Sequence, residues 1–314
     1  MPKRVFLGID TSNYTTSFAI VDENGDVLRN IKKLLPVKEG ERGLRQSDAV
    51  FAHIQNLKLI YEEIKDFEKL DIIAIGYSAY PRDAEGSYMP CFSVGESVAK
   101  MLGAISKAPI YKLSHQSGHI RAAIYSSGVA IDEEFIAFHV SGGTTEIVRA
   151  TREADGFLVD LIGGSVDLHA GQAIDRIGVL MGLKFPCGKE MEALAMQNTK
   201  KIPTSKICVK DFSCNLSGLE NLATKLYNET EDKSLVSAFV FDFISKTMVK
   251  ITEKIREKYP SHQIIYGGGV MSNAIIKGCL SKKFENIYFA EPQFSTDNAT
   301  GVALLAKDIV NGKQ

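Results

Sequence analysis

One order of secondary-structure elements occurs twice in this chain, and this repetition constrains the fold more than any single motif. Each copy has three predicted strands with a polar turn, followed by helices and strands in alternation. In the first copy, Asn24-Gly25 lies between two apolar stretches and predicts a β-hairpin. The predicted elements of this copy are strands 5–9, 16–21 and 27–34, helix 48–67, strand 72–78, helix 93–105 and strand 109–113.

The second copy follows a predicted helix that carries two histidines. Its predicted elements are strands 135–140, 144–150 and 157–162, helices 168–181 and 234–258, strand 263–266, helix 272–281, strand 287–289 and helix 296–310. Two such copies predict a duplicated α/β architecture with two lobes. We expect the first lobe over 1–112, with a C-terminal helix from 295–314 packing back on it. The second lobe is expected over 113–294, with an insertion at about 184–221 that contains several Pro and Gly residues.

Composition places the chain among ordinary globular proteins. It has 314 residues, of which 45% are hydrophobic and 24% charged, and its net charge is −1. A nucleic-acid partner would therefore need a local basic patch or a second protein, because the whole chain attracts no polyanion. The five cysteines form no Cys-x-x-Cys pair and predict reduced thiols. No apolar run is long enough to cross a membrane, so we expect a cytoplasmic protein without a membrane partner.

Three turns after predicted strands have the composition of phosphate-binding turns. They are Asp10-Thr11-Ser12 with the residues up to Thr16, then Ser141-Gly142-Gly143-Thr144-Thr145, and then Gly267-Gly268-Gly269 up to Asn273. Glycine lets backbone N–H groups approach an anion, and a helix N-terminus adds a favourable dipole. One such turn is often only a turn, but two equivalent turns and a third before a helix predict a nucleotide site. A Walker A motif and a Gly-x-Gly-x-x-Gly after the first strand are both missing from the sequence.

The pair His115 and His119 is the main candidate for metal binding. Residues four apart share a helix face, as in the His-Glu-x-x-His motif of zinc proteases. Here Gln116 replaces the glutamate that serves those proteases as a base, so a metalloprotease is the least favoured function. Such a pair also arises without a metal. A site would need further ligands, such as a distant carboxylate, because zinc takes about four ligands and iron about six.

Further motifs stand in a fixed order along nearly the whole chain: Leu7–Ser12, His115–His119, Val140–Thr144, Asp167–Asp175, Phe185–Gly188, Asp211–Ser213, Leu216–Gly218, Gly268–Asn273 and Ser295–Asn298. As a set, they resemble the TsaD family, within the superfamily of actin, the heat-shock ATPases and the sugar kinases. The resemblance implies an actin-like ATPase fold, with two lobes that each contain a mixed sheet flanked by helices. It also implies transfer of a threonylcarbamoyl group from an adenylate to an adenosine of tRNA, within a complex of partner proteins.

The resemblance also implies a set of site residues. It supplies Asp297 as the third ligand, beside His115 and His119, for one iron or zinc ion; an N-cap of the last helix is an equally good explanation of this aspartate. No Ser-His-Asp or Cys-His nucleophile is recognisable, so the catalytic residues stay unknown. The residues expected to contact ATP or threonylcarbamoyl-AMP are Asp10, Thr11, Ser12, Val140, Ser141, Gly142, Gly143, Thr144, Asp175, Gly188, Gly268, Gly269 and Asn273. Asp175 would bind the ribose or be a solvated helix carboxylate, and Asn273 would contact nucleotide or cap a helix.

Several positions depart from the pattern of the family. The first turn usually carries two acidic residues where this chain has Tyr14 and Thr15, and the family's histidine after Ser-Gly-Gly is Thr144 here. Ser114 replaces the first of two adjacent histidines, and 80–90 replaces a Gly-Pro-Gly region. These departures suggest a divergent paralogue. A carbamoyltransferase that acts on a small molecule and a non-catalytic nucleotide-binding paralogue are therefore alternatives to the tRNA-modifying enzyme.

Overall fold

The computed structural model describes residues 2–12, 14–36, 44–65, 67, 69–154 and 156–312. Asn13, in the first of the three polar turns, lies outside the described residues. The described elements are β1 (Lys3–Ser12), β2 (Thr15–Asp22), β3 (Val27–Leu34), α1 (Gln46–Ile64), β4 (Leu70–Tyr80), α2 (Phe92–Ser106), β5 (Ile110–Ser114), α3 (His115–Ser127), β6 (Glu134–Val140), β7 (Thr145–Glu153), β8 (Gly156–Ser165), α4 (Ala170–Leu180), α5 (Gly188–Met196), β9 (Cys208–Lys210), β10 (Ser213–Asn215), α6 (Ser217–Thr230), α7 (Lys233–Lys258), β11 (Ile264–Gly267), α8 (Ala274–Ser281), β12 (Ile287–Phe289), α9 (Pro292–Ser295) and α10 (Thr300–Val310).

The chain divides into two compact units, which are described separately. The first unit comprises Met1–Gly128, Thr151–Leu158 and Asp297–Gln314, and the second comprises Val129–Ala150 and Val159–Thr296. The boundary predicted after residue 112 differs from this division, because α3 belongs to the first unit. The reason is its packing on α10.

The first unit is built on a five-stranded mixed sheet in the order β3-β2-β1-β4-β5. The pairs β1–β2 and β2–β3 are antiparallel, while β4 runs parallel to both β1 and β5. Helix α10 lies directly on β1 and β4, since a Cβ atom at Gly8 or Gly76 would overlap the carbonyl oxygen of Ala299 or Val302. This close approach fixes the start of α10 against the centre of the sheet.

The last helix begins four residues later than the sequence predicts, at Thr300 rather than at 296. The Asn298 side chain accepts a hydrogen bond from the Thr300 N–H (3.1 Å), which satisfies one of the free donors at the helix start. Residues 296–299 therefore form a turn between α9 and α10, and Asp297 lies in that turn.

The second unit contains a seven-stranded sheet in the order β12-β11-β6-β7-β8-β10-β9. The long helix α7 supplies much of its core through side chains such as Val240, Phe243 and Ile251. Asp232 caps this helix by accepting hydrogen bonds from the N–H groups of Ser234 and Leu235. Among the described residues of both units, no helix is long and apolar enough to cross a membrane.

The segment predicted as an insertion, 184–221, adds both helix and strand to the second unit. It contains α5, the edge strands β9 and β10, and the start of α6. Its apolar side chains, among them Met191, Cys214 and Leu219, lie in the core of the unit. The insertion is thus a packed part of the unit and extends its sheet.

Candidate functional site

His115, His119 and Asp297 come together in the first unit, and one ligand atom from each lies within 4.8 Å of the others. The two Nε2 atoms are 2.9 Å apart. The Asp297 Oδ1 atom lies 3.7 Å from Nε2 of His115 and 3.3 Å from Nε2 of His119. Ligands at about 2.0–2.2 Å from one ion stand roughly 3–3.5 Å apart at right or tetrahedral angles. The three atoms therefore match the donor set and spacing of one face of a metal site.

The carboxylate of Asp10 is hydrogen-bonded to the ring nitrogen of His115 that faces away from His119 and Asp297. Its Oδ2 lies 2.7 Å from Nδ1 of His115, and its side chain is 1% exposed. The hydroxyl of Ser78 donates to the same oxygen, and the Ser12 N–H donates to Oδ1 at 2.9 Å. A carboxylate on one ring nitrogen keeps the proton there and turns the other nitrogen toward a metal. Asp10 thus orients His115 toward Asp297 and His119.

The electrostatics of the cluster follow from burial and from these contacts. Burial alone would lower the pKa of His115, but the charge of Asp10 overrides it and raises this pKa to about 9. Burial and the neighbouring His115 charge lower the pKa of His119. Asp10 keeps a lowered pKa despite complete burial, because His115 stabilises its charged form.

A serine-rich start fixes the position of α3. The Ser114 hydroxyl accepts from the Ser117 N–H at 3.0 Å, so Ser114 is the N-cap and His115 is the first helical residue. Asp83 accepts hydrogen bonds from both serine hydroxyls, and the Gln116 N–H donates to the Pro81 carbonyl at 3.0 Å. The loop at 80–90 is therefore bonded to the helix that carries the histidines.

The N-cap position of α10 is Ala299, so Asp297 lies two residues before it rather than at the cap position that the sequence suggests. A half-buried cation lies nearby: burial lowers the pKa of Lys32 and the negative charge of Asp297 opposes that shift.

The other predicted residues of the first turn are bonded within the protein. The Thr11 hydroxyl donates to the Cys91 carbonyl (2.9 Å) and accepts from the Gly95 N–H (3.1 Å), and Thr11 is fully buried. Ser12 is also buried, and its hydroxyl lacks a partner among the described residues. In the first unit, the turn thus secures α2 and orients His115; nucleotide contacts by Asp10, Thr11 and Ser12 stay predictions.

In the second unit, the two other polar turns pack against each other. The Val140 carbonyl accepts from the Val270 N–H at 3.0 Å, and Gly268 has a positive φ of 94° directly against Val140. The turn after Val140 is closed by a 2.7 Å bond from the Ser141 N–H to the Thr144 carbonyl. These contacts bring Val140–Thr144 and Gly268–Gly269 together.

Three helix N-termini meet around these turns. The N–H of Gly171, at the start of α4, donates to the Ser141 carbonyl at 3.2 Å. One turn later in α4, Asp175 accepts from the Cys187 N–H (2.7 Å), immediately before α5 begins at Gly188. Glu192 of α5 in turn accepts from the Ala274 N–H (2.6 Å), where α8 begins. The contacts form a closed ring that returns through the turn before α8.

The ring leaves room on one side of its glycines. A Cβ atom on Gly142, Gly143, Gly188 or Gly269 would meet no protein atom within 4 Å. Helix N-termini attract anions, and such open positions let backbone N–H groups reach a phosphate. The residues present therefore fit a nucleotide.

Two of the predicted nucleotide contacts have structural roles of their own. Asn273 caps α8, since its Oδ1 accepts from the N–H groups of Ile275 and Ile276. Asn273 therefore has the helix-capping role that was the alternative to nucleotide contact. Asp175 is half-buried and bonded rather than solvated, and burial raises its pKa despite the bond from Cys187.

Sequence reasoning missed four residues of these sites. Ser78 and Asp83 lie far along the chain from His115, and no local pattern marks them. Lys32 follows the buried Ile31 on β3, and this alternation of a buried and a polar residue is ordinary for a strand, so it does not mark Lys32 as a site residue. Glu192 lies four residues after Gly188, a helical spacing that would have placed it on the same face of α5.

Comparisons with known proteins give the family context. The model of the family TsaD, tRNA N6-adenosine threonylcarbamoyltransferase, matches residues 39–304. A tRNA N6-adenosine threonylcarbamoyltransferase of Pediococcus pentosaceus is 28% identical over 310 residues, which cover 91% of this chain and 85% of that protein.

Solved structures of more distant proteins share the fold. The activator of 2-hydroxyisocaproyl-CoA dehydratase from Clostridium difficile, with bound ADPNP, aligns with a TM-score of 0.55 at 14% identity, over 98% of this chain and 96% of that one. A ROK family glucokinase from Streptomyces griseus, in complex with glucose and AMPPNP, also gives 0.55, at 13% identity over 97% and 99% of the two chains. The predicted actin-like ATPase and sugar-kinase fold is confirmed.

Proposed function

Because the chain belongs to the TsaD family of tRNA N6-adenosine threonylcarbamoyltransferases, we propose that it transfers a threonylcarbamoyl group to an adenosine amine of tRNA. The proposed donor is the adenylate threonylcarbamoyl-AMP, and the proposed cofactor is one divalent ion, iron or zinc. The observation that carries the proposal is the triangle of His115, His119 and Asp297, with the Asp10 carboxylate behind it.

The donor set supports a single ion with open positions. Three protein ligands fill fewer positions than zinc or iron offers, so substrate oxygens can complete the coordination. When bound, the ion would orient the donor and polarise its carbonyl. Asp10 keeps the proton of His115 on Nδ1, and Asp83 holds the start of α3 through Ser114, so that both histidines keep their positions.

The turns of the second unit support an adenylate as the donor. Their glycines and three helix N-termini offer N–H groups to a phosphate. Asp175, which accepts from the Cys187 N–H next to Gly188, would be the acceptor for a ribose hydroxyl in this proposal. Rate enhancement in this proposal comes mainly from positioning the amine against the bound carbonyl.

A second candidate function is carbamoyl transfer to a small molecule. The observation that favours it is the first turn, where Thr15 is buried at 5% exposure and Tyr14 stands in place of an acidic residue. Neither a phenol nor an aliphatic hydroxyl replaces a carboxylate as the base for an attacking amine. An acceptor that arrives already deprotonated, or a different base, would be needed.

A transfer assay tests the proposal. Metal-loaded protein is incubated with tRNA, bicarbonate, threonine, ATP and the upstream synthase that makes the adenylate, and the nucleosides of the tRNA are analysed. We expect threonylcarbamoyladenosine from the wild type and at least a hundredfold less from His119→Ala. His262→Ala removes an imidazole that is bonded to Glu134 in the second unit, and it serves as the matched control with unchanged product.

The outcomes separate the candidate functions. No product from metal-loaded wild type, with the partner proteins of the complex present, contradicts the tRNA proposal. Turnover of a small amine under those conditions would favour the second function. A protein that binds nucleotide but no stoichiometric metal would instead be a non-catalytic paralogue.

A further inference from the structure

Residues 198–212, which we call the lysine strap, form an extended segment of the second unit with a strongly uneven charge. The strap carries Lys200, Lys201, Lys206 and Lys210 and a single acidic residue, Asp211, next to Lys210; the chain has no acidic residue from 193 to 210. All four lysines are exposed. The strap is a local basic feature in a chain whose net charge is only −1.

The strap runs along nearly the full length of α7. At one end, Lys200 forms an ion pair with Asp232, the N-cap of α7, at 2.7 Å. At the other end, the Phe212 ring lies 6.1 Å from the ring of Tyr259, the C-cap of the same helix. A helix of 26 residues is about 39 Å long at ~1.5 Å per residue. The twelve residues from Lys200 to Phe212 span at most about 40 Å at ~3.3 Å per residue, and the side chains of Lys200 and Phe212 make the two end contacts.

The side chains of the strap divide into an inner and an outer row. Ile202, Ile207 and Val209 pack against the core of the unit. The intervening lysines point away from it: along Lys206–Lys210, exposed and half-buried residues alternate with the period of a strand. Because the apolar row is turned inward, the outer row presents lysines in a line.

Lys200 has an ion pair with Asp232. For Lys201, Lys206 and Lys210 the described part of the chain offers no ion pair, although Asp211 follows Lys210 in the sequence. Beyond the strap, the Lys258 ammonium lies 5.6 Å from the Phe212 ring centre and continues the positive line. Lys201, Lys206 and Lys210 are spaced about 13–17 Å apart along an extended chain, at ~3.3 Å per residue.

A line of separated cations fits a polyanion with regularly repeated charges. No large hydrophobic side chain of the strap is strongly exposed, so the strap lacks the apolar anchor that interfacial membrane binding uses. Lysines on an edge strand also prevent sheet-to-sheet pairing. That role concerns Lys210 in β9, however, and not Lys200, Lys201 and Lys206, which precede the strand.

We propose that the lysine strap binds the phosphate backbone of the tRNA acceptor. This inference rests on the proposed function for the identity of the polyanion. Each lysine would contact a phosphate without reading a base, and the strap would hold the tRNA while its adenosine reaches the site of transfer. It gives this nearly neutral chain a local surface for nucleic acid.

The test compares the salt dependence of tRNA binding between matched variants of the full chain. The strap variant is Lys201→Gln/Lys206→Gln/Lys210→Gln. The control variant Lys58→Gln/Lys65→Gln/Lys282→Gln makes the same change in charge at other exposed lysines. An arginine triple at the three strap positions keeps the charge. Each lysine that neutralises a phosphate contributes about 0.7–0.9 to the slope of log Kd against log salt.

We expect the strap variant to lose about two to three units of this slope and at least about tenfold in affinity near 150 mM salt. The control and arginine variants should stay within about twofold of wild type. Circular dichroism melts check that all variants fold. Equal slopes for the strap and control variants would overturn the inference.

Two further arms keep this inference separate from the proposed function. Binding of anionic phosphatidylserine vesicles, but not of tRNA, with the same dependence on the strap would overturn it in favour of a membrane surface. If tRNA is modified but its affinity and salt dependence do not change with the strap lysines, only the strap inference fails. If binding depends on the strap but no threonylcarbamoyladenosine forms, the proposed function fails and the strap inference is supported.

Discussion

Asp10→Asn is the substitution that most sharply probes the proposed metal site. The carboxylate accepts three hydrogen bonds, from Ser78, from the Ser12 N–H at 2.9 Å and from His115 Nδ1 at 2.7 Å. Asparagine has nearly the same shape but only one acceptor oxygen. If this oxygen keeps the bond from Ser12, the NH2 group faces His115 and Ser78.

The substitution should change the proton on the neighbouring imidazole. To accept from the new NH2 group, His115 must carry its proton on Nε2, the atom that faces Asp297 and His119. In its neutral form, His115 of the variant then offers no lone pair to an ion at Nε2, whereas the neutral form in the wild type keeps its proton on Nδ1, beside Asp10. Loss of such a supporting carboxylate typically weakens metal binding by about 10–100-fold, or roughly 1.4–2.7 kcal/mol. We expect an effect of this size for Asp10→Asn.

The measurement is the dissociation constant for zinc, obtained by competition with a chromophoric chelator at neutral pH. Ser78→Ala removes one donor to Asp10 but keeps the carboxylate, and should change the affinity by less than about threefold. Asp22→Asn is the matched control, because Asp22 also accepts N–H bonds, from Asn24 and Asp26, in a turn of the same sheet. A folded Asp10→Asn protein with an affinity within about twofold of wild type would refute the reasoning about His115.

Three further predictions follow from other parts of the structure. Asp83→Ala frees the start of α3 and should weaken zinc binding by severalfold, with a loss of about 1–3 kcal/mol in the free energy of unfolding. Chelator competition measures the affinity and urea melts measure the stability. An unchanged affinity would show that the loop at 80–90 does not position the histidines. Gly269→Ala should leave the melting temperature unchanged but weaken adenylate binding at least about tenfold. In contrast, Gly171→Ala should destabilise the fold by about 1–3 kcal/mol, because its Cβ would lie 2.5 Å from the Ser141 carbonyl oxygen. Calorimetric titration and thermal melts check both effects, and tight adenylate binding by Gly269→Ala would contradict the nucleotide site. Burial alone would raise the pKa of Asp167, but hydrogen bonds from Ser217 and nearby N–H groups lower this pKa well below its usual value. The carboxylate therefore stabilises the fold above about pH 4 and loses this effect as the pH falls. Asp167→Asn should cost only about 1–2 kcal/mol in the free energy of unfolding at pH 7, because the side chain is exposed, and urea melts should show that this loss shrinks below pH 4.

The element order and the histidine pair are the parts of this protein that local sequence patterns predict well. Strand and helix periods are local properties, and so is the spacing that puts His115 and His119 on one face of α3. The start of α10 was predicted too early because the turn at 296–299 depends on packing against β1 and on a single bond from Thr300 to Asn298.

The proposed third ligand, Asp297, and the support from Asp10 could not be found from local patterns. Asp297 is distant in sequence from the histidines, and only the family resemblance linked them. Asp10 was predicted as part of a phosphate turn, whereas its buried side chain bonds His115. Such a role depends on the parallel pairing of β1 with β4 and of β4 with β5, which places Asp10, Ser78 and His115 at neighbouring strand ends.

The lysine strap shows the same division between local and long-range information. Lys206, Cys208 and Lys210 alternate with apolar residues, but no strand was predicted in this part of the insertion, and β9 appears only in the structure. Its course along α7 depends on two contacts, from Lys200 to Asp232 and from Phe212 to Tyr259. Neither is visible in the sequence, so the line of charge appears only in the structure.

The central claim is that His115, His119 and Asp297 hold one metal ion that transfer requires. Its most direct test is the metal content of the purified protein by mass spectrometry, measured together with product formation in the same samples. We predict about one iron or zinc per chain in the wild type, and a parallel loss of metal and of threonylcarbamoyladenosine in Asp297→Ala. Full metal content in Asp297→Ala, or undiminished product from a metal-free sample, would contradict the claim.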